Sequence, residues 1–244
     1  MRYDRPEDTP GYGGLYDEVV TEDCYGLRSV GFVPDVVVDL GANIGVFARY
    51  AREMFPAASI VCVEPNPDNF DLLRRHVPVP PVTIACAAVG RGRVRRFLGA
   101  ANGAHESYVS PGLGFDEPTM AGCRGITSIP TGIETAGDGF ELFEGDLVMP
   151  DLVLAPHAGR SVLLKMDIEG GENAVLTDAA SMAALATVDY LAAEIHFYAL
   201  TGDVLEPTRL AIEAALGRLE STHECSIDGV NFRARRRGLA RVPA

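Results

Sequence analysis

Six side chains in this sequence could do chemistry together: Asp39, Glu64, Asp167, Glu169, Glu194 and His196. Each follows or ends a run of apolar residues. Asp167 and Glu169 are two apart, as are Glu194 and His196, so each pair shares one face of an extended chain end. Acids at neighbouring strand ends, with a histidine, can abstract a proton from a hydroxyl or hold a divalent cation. His196 is the expected base, because an ordinary imidazole titrates near neutrality. Asp167 is its partner or substitute, and Glu194 completes the set. A helix start explains Glu169 and Glu172 equally well, since acids there favour the helix dipole.

These groups need a scaffold that brings strand ends level. The apolar runs provide one. Strands are expected at Asp35–Leu40, Ser59–Val63, Val82–Val89, Ser161–Met166 and Val188–Ile195. Helical periods lie between them. One has Ile44, Phe47, Ala48, Ala51, Met54 and Phe55 on its inner face; another runs from about Asp68 to His76 with Pro67 in its first turn. A third carries Val175, Leu176, Ala179, Met182 and Leu185 inward, and a fourth runs from about Val204 to Leu219. Continuously apolar strands alternating with helices predict a parallel sheet covered on both faces. Ile227-Asp228-Gly229 predicts a closing antiparallel hairpin. The expected class is α/β, with a mostly parallel seven-stranded sheet.

Residues 1–34 read as an N-terminal arm, with a loop at the Gly-Tyr-Gly-Gly of 11–14, and residues 35–244 as the main domain. Val94–Leu98 is a candidate hairpin strand. Regularity then fails over about 99–147, which is expected to be an insertion shaping the substrate side. Asp146–Leu154 is expected to return as a short helix. The arginines from Arg233 to Arg241 read as a solvated tail.

Composition narrows the classes. The 244 residues carry a formal charge of -13, which repels phosphate backbones and argues against nucleic acid as a partner. No apolar run reaches membrane-spanning length and the first residues are polar, so no membrane segment or secretory signal is expected. Five scattered cysteines, with Cys62 and Cys86 in apolar strands, read as reduced core thiols of a cytoplasmic protein.

The first strand ends Asp39-Leu40-Gly41-Ala42-Asn43-Ile44-Gly45. In open α/β sheets the ligand lies at the carboxyl ends of the strands, at the switch point. An acid directly ahead of the glycines would repel a pyrophosphate. It suits a cationic ligand better, such as the ammonium of a methionyl group. Glu64, at the end of the second strand, stands where an acid accepts hydrogen bonds from a ribose diol. Together they point to S-adenosylmethionine, with adenine near Ala87 to Gly90. A nicotinamide dinucleotide oxidoreductase, and an enzyme using the sulfonium for cyclisation, are the alternatives.

Val38-Asp39-Leu40-Gly41-Ala42-Asn43-Ile44-Gly45, Val63-Glu64-Pro65-Asn66-Pro67, Leu164-Lys165-Met166-Asp167-Ile168-Glu169-Gly170-Gly171-Glu172 and Ala193-Glu194-Ile195-His196 resemble the FkbM family of S-adenosylmethionine-dependent methyltransferases. The resemblance implies a Rossmann-like class I methyltransferase fold and O-methylation of natural-product or sugar hydroxyls. Carried over by position, Asp39, Gly41, Asn43, Gly45 and Glu64 bind the cofactor, with Ala42, Pro65, Asn66, Ala87 and Asp167 grouped beside them. Asp167, Glu194 and His196 line the reaction cleft. A small-molecule methyl acceptor and a possible homodimer are the implied partners. No metal ligand is assigned, although a divalent cation between Asp167, Glu194 and His196 is a variant of the same scheme.

Overall fold

The structure is a computed structural model. It describes residues 6–9, 11–77, 82–89, 97–100, 107–108, 140–143, 146–169, 171–196 and 205–239. Much of the 99–147 insertion, and Gly90 beside the expected adenine position, lie outside the described residues.

The main sheet holds β1 (Val36–Leu40), β2 (Ser59–Glu64), β3 (Val82–Val89), β7 (Asp146–Val148), β8 (Val162–Met166), β9 (Tyr190–Glu194), β10 (His223–Asp228) and β11 (Asn231–Arg236). Their order is β10-β11-β9-β8-β1-β2-β3-β7. β9, β8, β1, β2, β3 and β7 run parallel, and β11 pairs antiparallel with β9 and β10. The α/β class and closing hairpin are as expected. The mostly parallel sheet of seven strands is present as expected, and β7 adds a further strand outside β3. The expected helix over Asp146–Leu154 is therefore split. β7 comes first, and the helix α4 spans only Pro150–Leu154. Inside the supposedly irregular insertion, β5 (Ser107–Tyr108) and β6 (Phe140–Phe143) flank β4 (Phe97–Ala100) in a second, antiparallel sheet.

Alternation along β1 builds two cores. Val36, Val38 and Leu40 join Leu164, Met166, Val175, Leu176, Ile212 and Leu216 on one face. Val37 joins Ile60, Leu163, Ile44, Phe47, Ala51, Leu72 and Leu73 on the other. α2 (Val46–Met54), α3 (Pro67–His76) and the N-terminal arm cover the second face, while α5 (Glu172–Thr177), α6 (Ala179–Leu185) and α7 (Leu205–Leu219) cover the first. α3 starts where expected, because Asn66 Oδ1 accepts from Asp68 N at 2.9 Å and Pro67 fits the first turn.

Several local expectations are corrected. α2 begins at Val46, because Asn43 and Gly45 both take left-handed backbone, and Met54 in its last turn is exposed. The single helix expected after β8 is two, since Asp178 leaves helical geometry and caps α6 through Ser181 N at 2.7 Å; Ala179 is then exposed. Tyr12–Tyr16 forms a helix, α1, where a glycine loop was expected. Tyr12 and Leu15 pack on the core while the Cβ positions of Gly13 and Gly14 face open space, so packing overrides weak propensity. Cys62 is buried, but Cys86 is exposed because β3 lies next to the sheet edge. The arginines of β11 are not a solvated tail. Arg233 donates to Cys24 O and Arg235 to Val30 O at 3.2 Å, so both hold the arm.

Candidate active site

The chain reverses direction across the sheet between β1 and β8, and the site lies at that switch point. Gly41, Asn43, Val63, Glu64, Pro65, Asn69, Ala87, Val89, Asp167, Ile168 and Glu169 line an open cleft there. Of the expected cofactor residues, Gly41, Asn43, Glu64, Pro65, Ala87 and Asp167 meet there. Asp39, Ala42, Gly45 and Asn66 do not line it.

Each of those four has a visible structural task or setting. Asp39 is fully buried, and its register partner across β1 and β8 is Lys165. The Lys165 ammonium stands 3.3 Å from Asp39 Oδ1. The acid expected to face a cationic ligand thus faces a lysine of its own chain. Burial raises the Asp39 carboxyl above its ordinary value, and Lys165 pulls against that rise. Gly45 lets α2 meet α3: a Cβ there would stand 2.7 Å from Val77 and 2.9 Å from Leu73. Asn66 caps α3, and Ala42 is buried in the core beside Ile44.

Gly41 has φ near +78°, and a Cβ on it would lie 1.8 Å from the carbonyl oxygen of Asp167. The β1 turn and the β8 end touch backbone to backbone, and Asp167 N donates to Leu40 O at 3.1 Å. Asn43, at φ near +49°, donates its N–H to Glu64 Oε2 at 2.8 Å, and Asn66 N donates to Glu64 Oε1 at 2.9 Å. Burial still dominates over these donors and pushes the Glu64 carboxyl up to about 7.

Toward the reaction side, one polar chain runs across the strand ends. Lys165 donates to Gly41 O at 2.6 Å and stands 3.7 Å from Asp167 Oδ2. Burial opposes its charge, but Asp39, Asp167 and Glu194 outweigh that and hold it above the ordinary lysine value. The Tyr25 hydroxyl donates to Asp167 Oδ2 at 2.9 Å and lies 3.1 Å from Glu194 Oε1. His196 Nε2 is 3.5 Å from Glu194 Oε2 and 3.8 Å from Glu169 Oε2, and Nδ1 is 3.2 Å from Glu172 Oε1. Glu172 Oε1 also accepts from Ile168 N at 2.8 Å.

That environment sets the charge on His196. Burial works against the imidazolium, but hydrogen bonds to Glu172 and Glu194 and the charges of Glu172 and Glu169 raise its pKa to about 11. That environment favours the imidazolium, which donates protons and has no lone pair to accept one.

Asp167, Glu194 and His196 do come together as expected, with ligand atoms all within 4.8 Å of one another. Sequence reasoning missed Tyr25 altogether and gave Lys165 no role. Lys165 stood inside the most specific motif, and a lone cation between two acids of a buried strand end was the available signal. Tyr25 carried none.

The Methyltransferase FkbM domain model matches residues 39–206. The chain belongs to this family, whose cofactor is S-adenosylmethionine. Among curated relatives, the 31-O-demethyl-FK506 methyltransferase FkbM of Streptomyces tacrolimicus is 39% identical over 88 residues, covering 34% of each chain. Methyltransferase sdnD of Sordaria araneosa is 38% identical over 63 residues, covering 26% of this chain and 24% of that one. The matched stretches thus span only about a quarter to a third of those relatives' lengths. Among solved structures, a methyltransferase from Geobacter sulfurreducens is 13% identical over 93% of this chain and 88% of that one, with a TM-score of 0.39.

The cleft suits the family's cofactor on its own terms. A buried strand-end acid that already gathers two N–H donors, Glu64, faces the cavity beside the small apolar wall of Ala87 and Val89. Among the described residues, no helix is long and apolar enough to cross a membrane.

Proposed function

We propose that this protein transfers a methyl group from S-adenosylmethionine to a hydroxyl of a small natural product or sugar. The observation that carries the reading is the place of Asp167. It lines the cleft and also joins the polar chain that runs across the strand ends. The relative named as an O-demethyl-FK506 methyltransferase supports oxygen as the acceptor atom.

Bound S-adenosylmethionine supplies an electrophilic methyl on a sulfonium. Glu64 would accept from its ribose hydroxyls, Gly41 and Asn43 would shape the methionyl end, and Ala87 with Val89 would wall the adenine. Asp167 takes the proton from the acceptor hydroxyl. His196, held as a cation, keeps Glu194 and Glu172 in place and is not the base. Holding donor and acceptor in line contributes on the order of 7–11 kcal/mol to lowering the barrier.

Calorimetric titration with S-adenosylhomocysteine and with NAD tests the cofactor. Binding of the first and not the second is expected, and the reverse sinks the reading. Incubation with S-adenosylmethionine and a panel of hydroxylated metabolites then tests the reaction. Formation of S-adenosylhomocysteine supports transfer, whereas methylthioadenosine would move the assignment to cyclisation.

A further inference from the structure

Among the described residues, the strand ends place no hydrogen-bond donor between Asp167 and Glu194. The link there comes from the N-terminal arm. We propose that Tyr25 is a positioning residue of the active site, whose hydroxyl binds the Asp167 and Glu194 carboxylates into one unit and makes the arm part of the catalytic apparatus. The proposal rests on the methyltransferase reading for its purpose, but the contact it describes is independently measurable.

The phenol is built into this place. Its ring is buried and meets Phe47 edge to face at 5.3 Å, with the Lys165 ammonium 5.5 Å from its centroid. Its backbone is fixed from below, where Tyr190 Oη donates to Tyr25 O at 2.9 Å. Arg233 holds the preceding carbonyl, Cys24 O. Asp23, in left-handed backbone, accepts from Leu27 N at 2.9 Å and Arg28 N at 3.0 Å. Gly26 leaves room for the anchor, because a Cβ there would stand 2.7 Å from Tyr190 Oη. So β9, β11 and the arm's own turn all fix the backbone that carries this hydroxyl. A buried aromatic needs none of that merely to fill a core.

The chemistry explains the placement. From the turn outward, the groups alternate in charge: Asp39, Lys165, Asp167, then Glu194, His196, Glu172. The alternation fails only where Asp167 meets Glu194. Two carboxylates left adjacent there would repel. The Tyr25 O–H stands in that gap. Its one hydrogen goes to Asp167 at 2.9 Å, with Glu194 within reach at 3.1 Å. Burial, and then the Asp167 and Glu194 charges, hold the phenol well above its ordinary value, so it stays a donor. Glu18 and Cys24 face the same pair from the arm, and both are themselves raised, first by burial. Asp167 is thereby held in place, with Lys165 on its other side.

The test follows the Asp167 and Glu194 carboxyl carbons by NMR against pH, in the wild-type chain and in Tyr25→Phe. The apparent midpoints of the pair are expected to rise by about one pH unit or more in the variant. Superimposable curves overturn the proposal. Should the variant fail to fold, the wild type still decides. Its Tyr25 hydroxyl proton is expected to be protected from exchange and to shift as the two acids titrate. A fast-exchanging proton indifferent to them overturns the proposal equally. S-adenosylhomocysteine affinity of the wild-type chain is measured alongside. Wild-type protein that fails to bind it refutes the methyltransferase reading, without touching the carboxylate result.

Discussion

The ammonium of Lys165 stands 3.3 Å from the carboxylate of Asp39, across paired strands and almost sealed from water. The same ammonium donates to the Gly41 carbonyl at 2.6 Å. The pair therefore ties the cofactor turn to the strand that ends in Asp167. Removing one partner of a buried pair leaves a charge without compensation and costs about 3–5 kcal/mol. Lys165→Met is expected to lose stability on that scale in urea unfolding, and Lys165→Met with Asp39→Asn to recover much of it. An unchanged midpoint in the single variant would show that Asp39 is neutral in the folded chain.

Glu64 links cofactor affinity to pH. Its carboxyl lies near 7 in the folded chain against an ordinary 4.5, so the folded state binds the proton more tightly. Its contribution to stability is present in full below about 4.5 and is lost as pH rises through about 7. Ligand binding has the opposite sign, because a ribose diol donates best to the ionised acid. Affinity for S-adenosylhomocysteine is expected to fall by about tenfold per pH unit below 7, and Glu64→Gln to bind weakly with no such slope. A wild-type affinity flat between pH 5.5 and 8, on the order of those limits, would remove Glu64 from the ribose site.

The parallel core was legible because its signal is local. Val36-Val37-Val38 and Ile60-Val61-Cys62-Val63 are apolar on both faces, as strands between two helical layers must be. Asn66-Pro67 marks a helix start by its own chemistry. What stayed hidden depends on approach in space. Tyr25 is 142 residues from Asp167 and 169 from Glu194, and no spacing encodes their meeting. The charge on His196 was misread for the same reason. The two-residue period placed it beside Glu194, but Glu172 reaches it from the start of α5 after a backbone turn. The glycine helix α1 forms only because Tyr12 and Leu15 find a core to rest on.

His196 gives the alkaline side of the stability profile. Its pKa is raised from 6.5 to about 11 by its glutamates. A raised value means stability present in full below 6.5 and lost progressively as pH rises through about 11. His196→Gln is expected to flatten that alkaline limb in thermal unfolding. With S-adenosylmethionine held saturating, so that the Glu64 effect on affinity drops out, methyl transfer should show no acid limb near 6.5, since the ring is not the base. NMR of the ring carbons showing a midpoint near neutrality would restore His196 as a base and displace Asp167.

Gly41 and Gly159 make a controlled comparison. Both have φ near +78–79°, so alanine is strained at each by about 1–2 kcal/mol. At Gly159 a Cβ meets open space, whereas at Gly41 it lands 1.8 Å from the Asp167 backbone oxygen. That oxygen belongs to a strand end paired with β1 and cannot yield as a side chain would. Gly159→Ala is expected to cost only the strain. Gly41→Ala should cost several-fold more or prevent folding, and any folded fraction should lose S-adenosylhomocysteine binding, because the cleft wall and Asp167 move together. Equal thermal shifts for the two variants would mean that the turn and the strand end do not touch.

Asp167, Glu194 and His196 are close enough to hold a cation, yet the chain already supplies positive charge there. Lys165 stands on one side of Asp167 and the His196 ring on one side of Glu194. A divalent ion would have to displace the imidazolium proton and the Tyr25 contact to gain ligands. Exhaustive chelation is therefore expected to leave the melting temperature and S-adenosylhomocysteine affinity unchanged, and added magnesium, calcium or zinc to raise neither. A melting temperature that climbs with magnesium concentration would replace this charge-balanced arrangement with a metal-centred one, and Asp167→Asn should then abolish the rise.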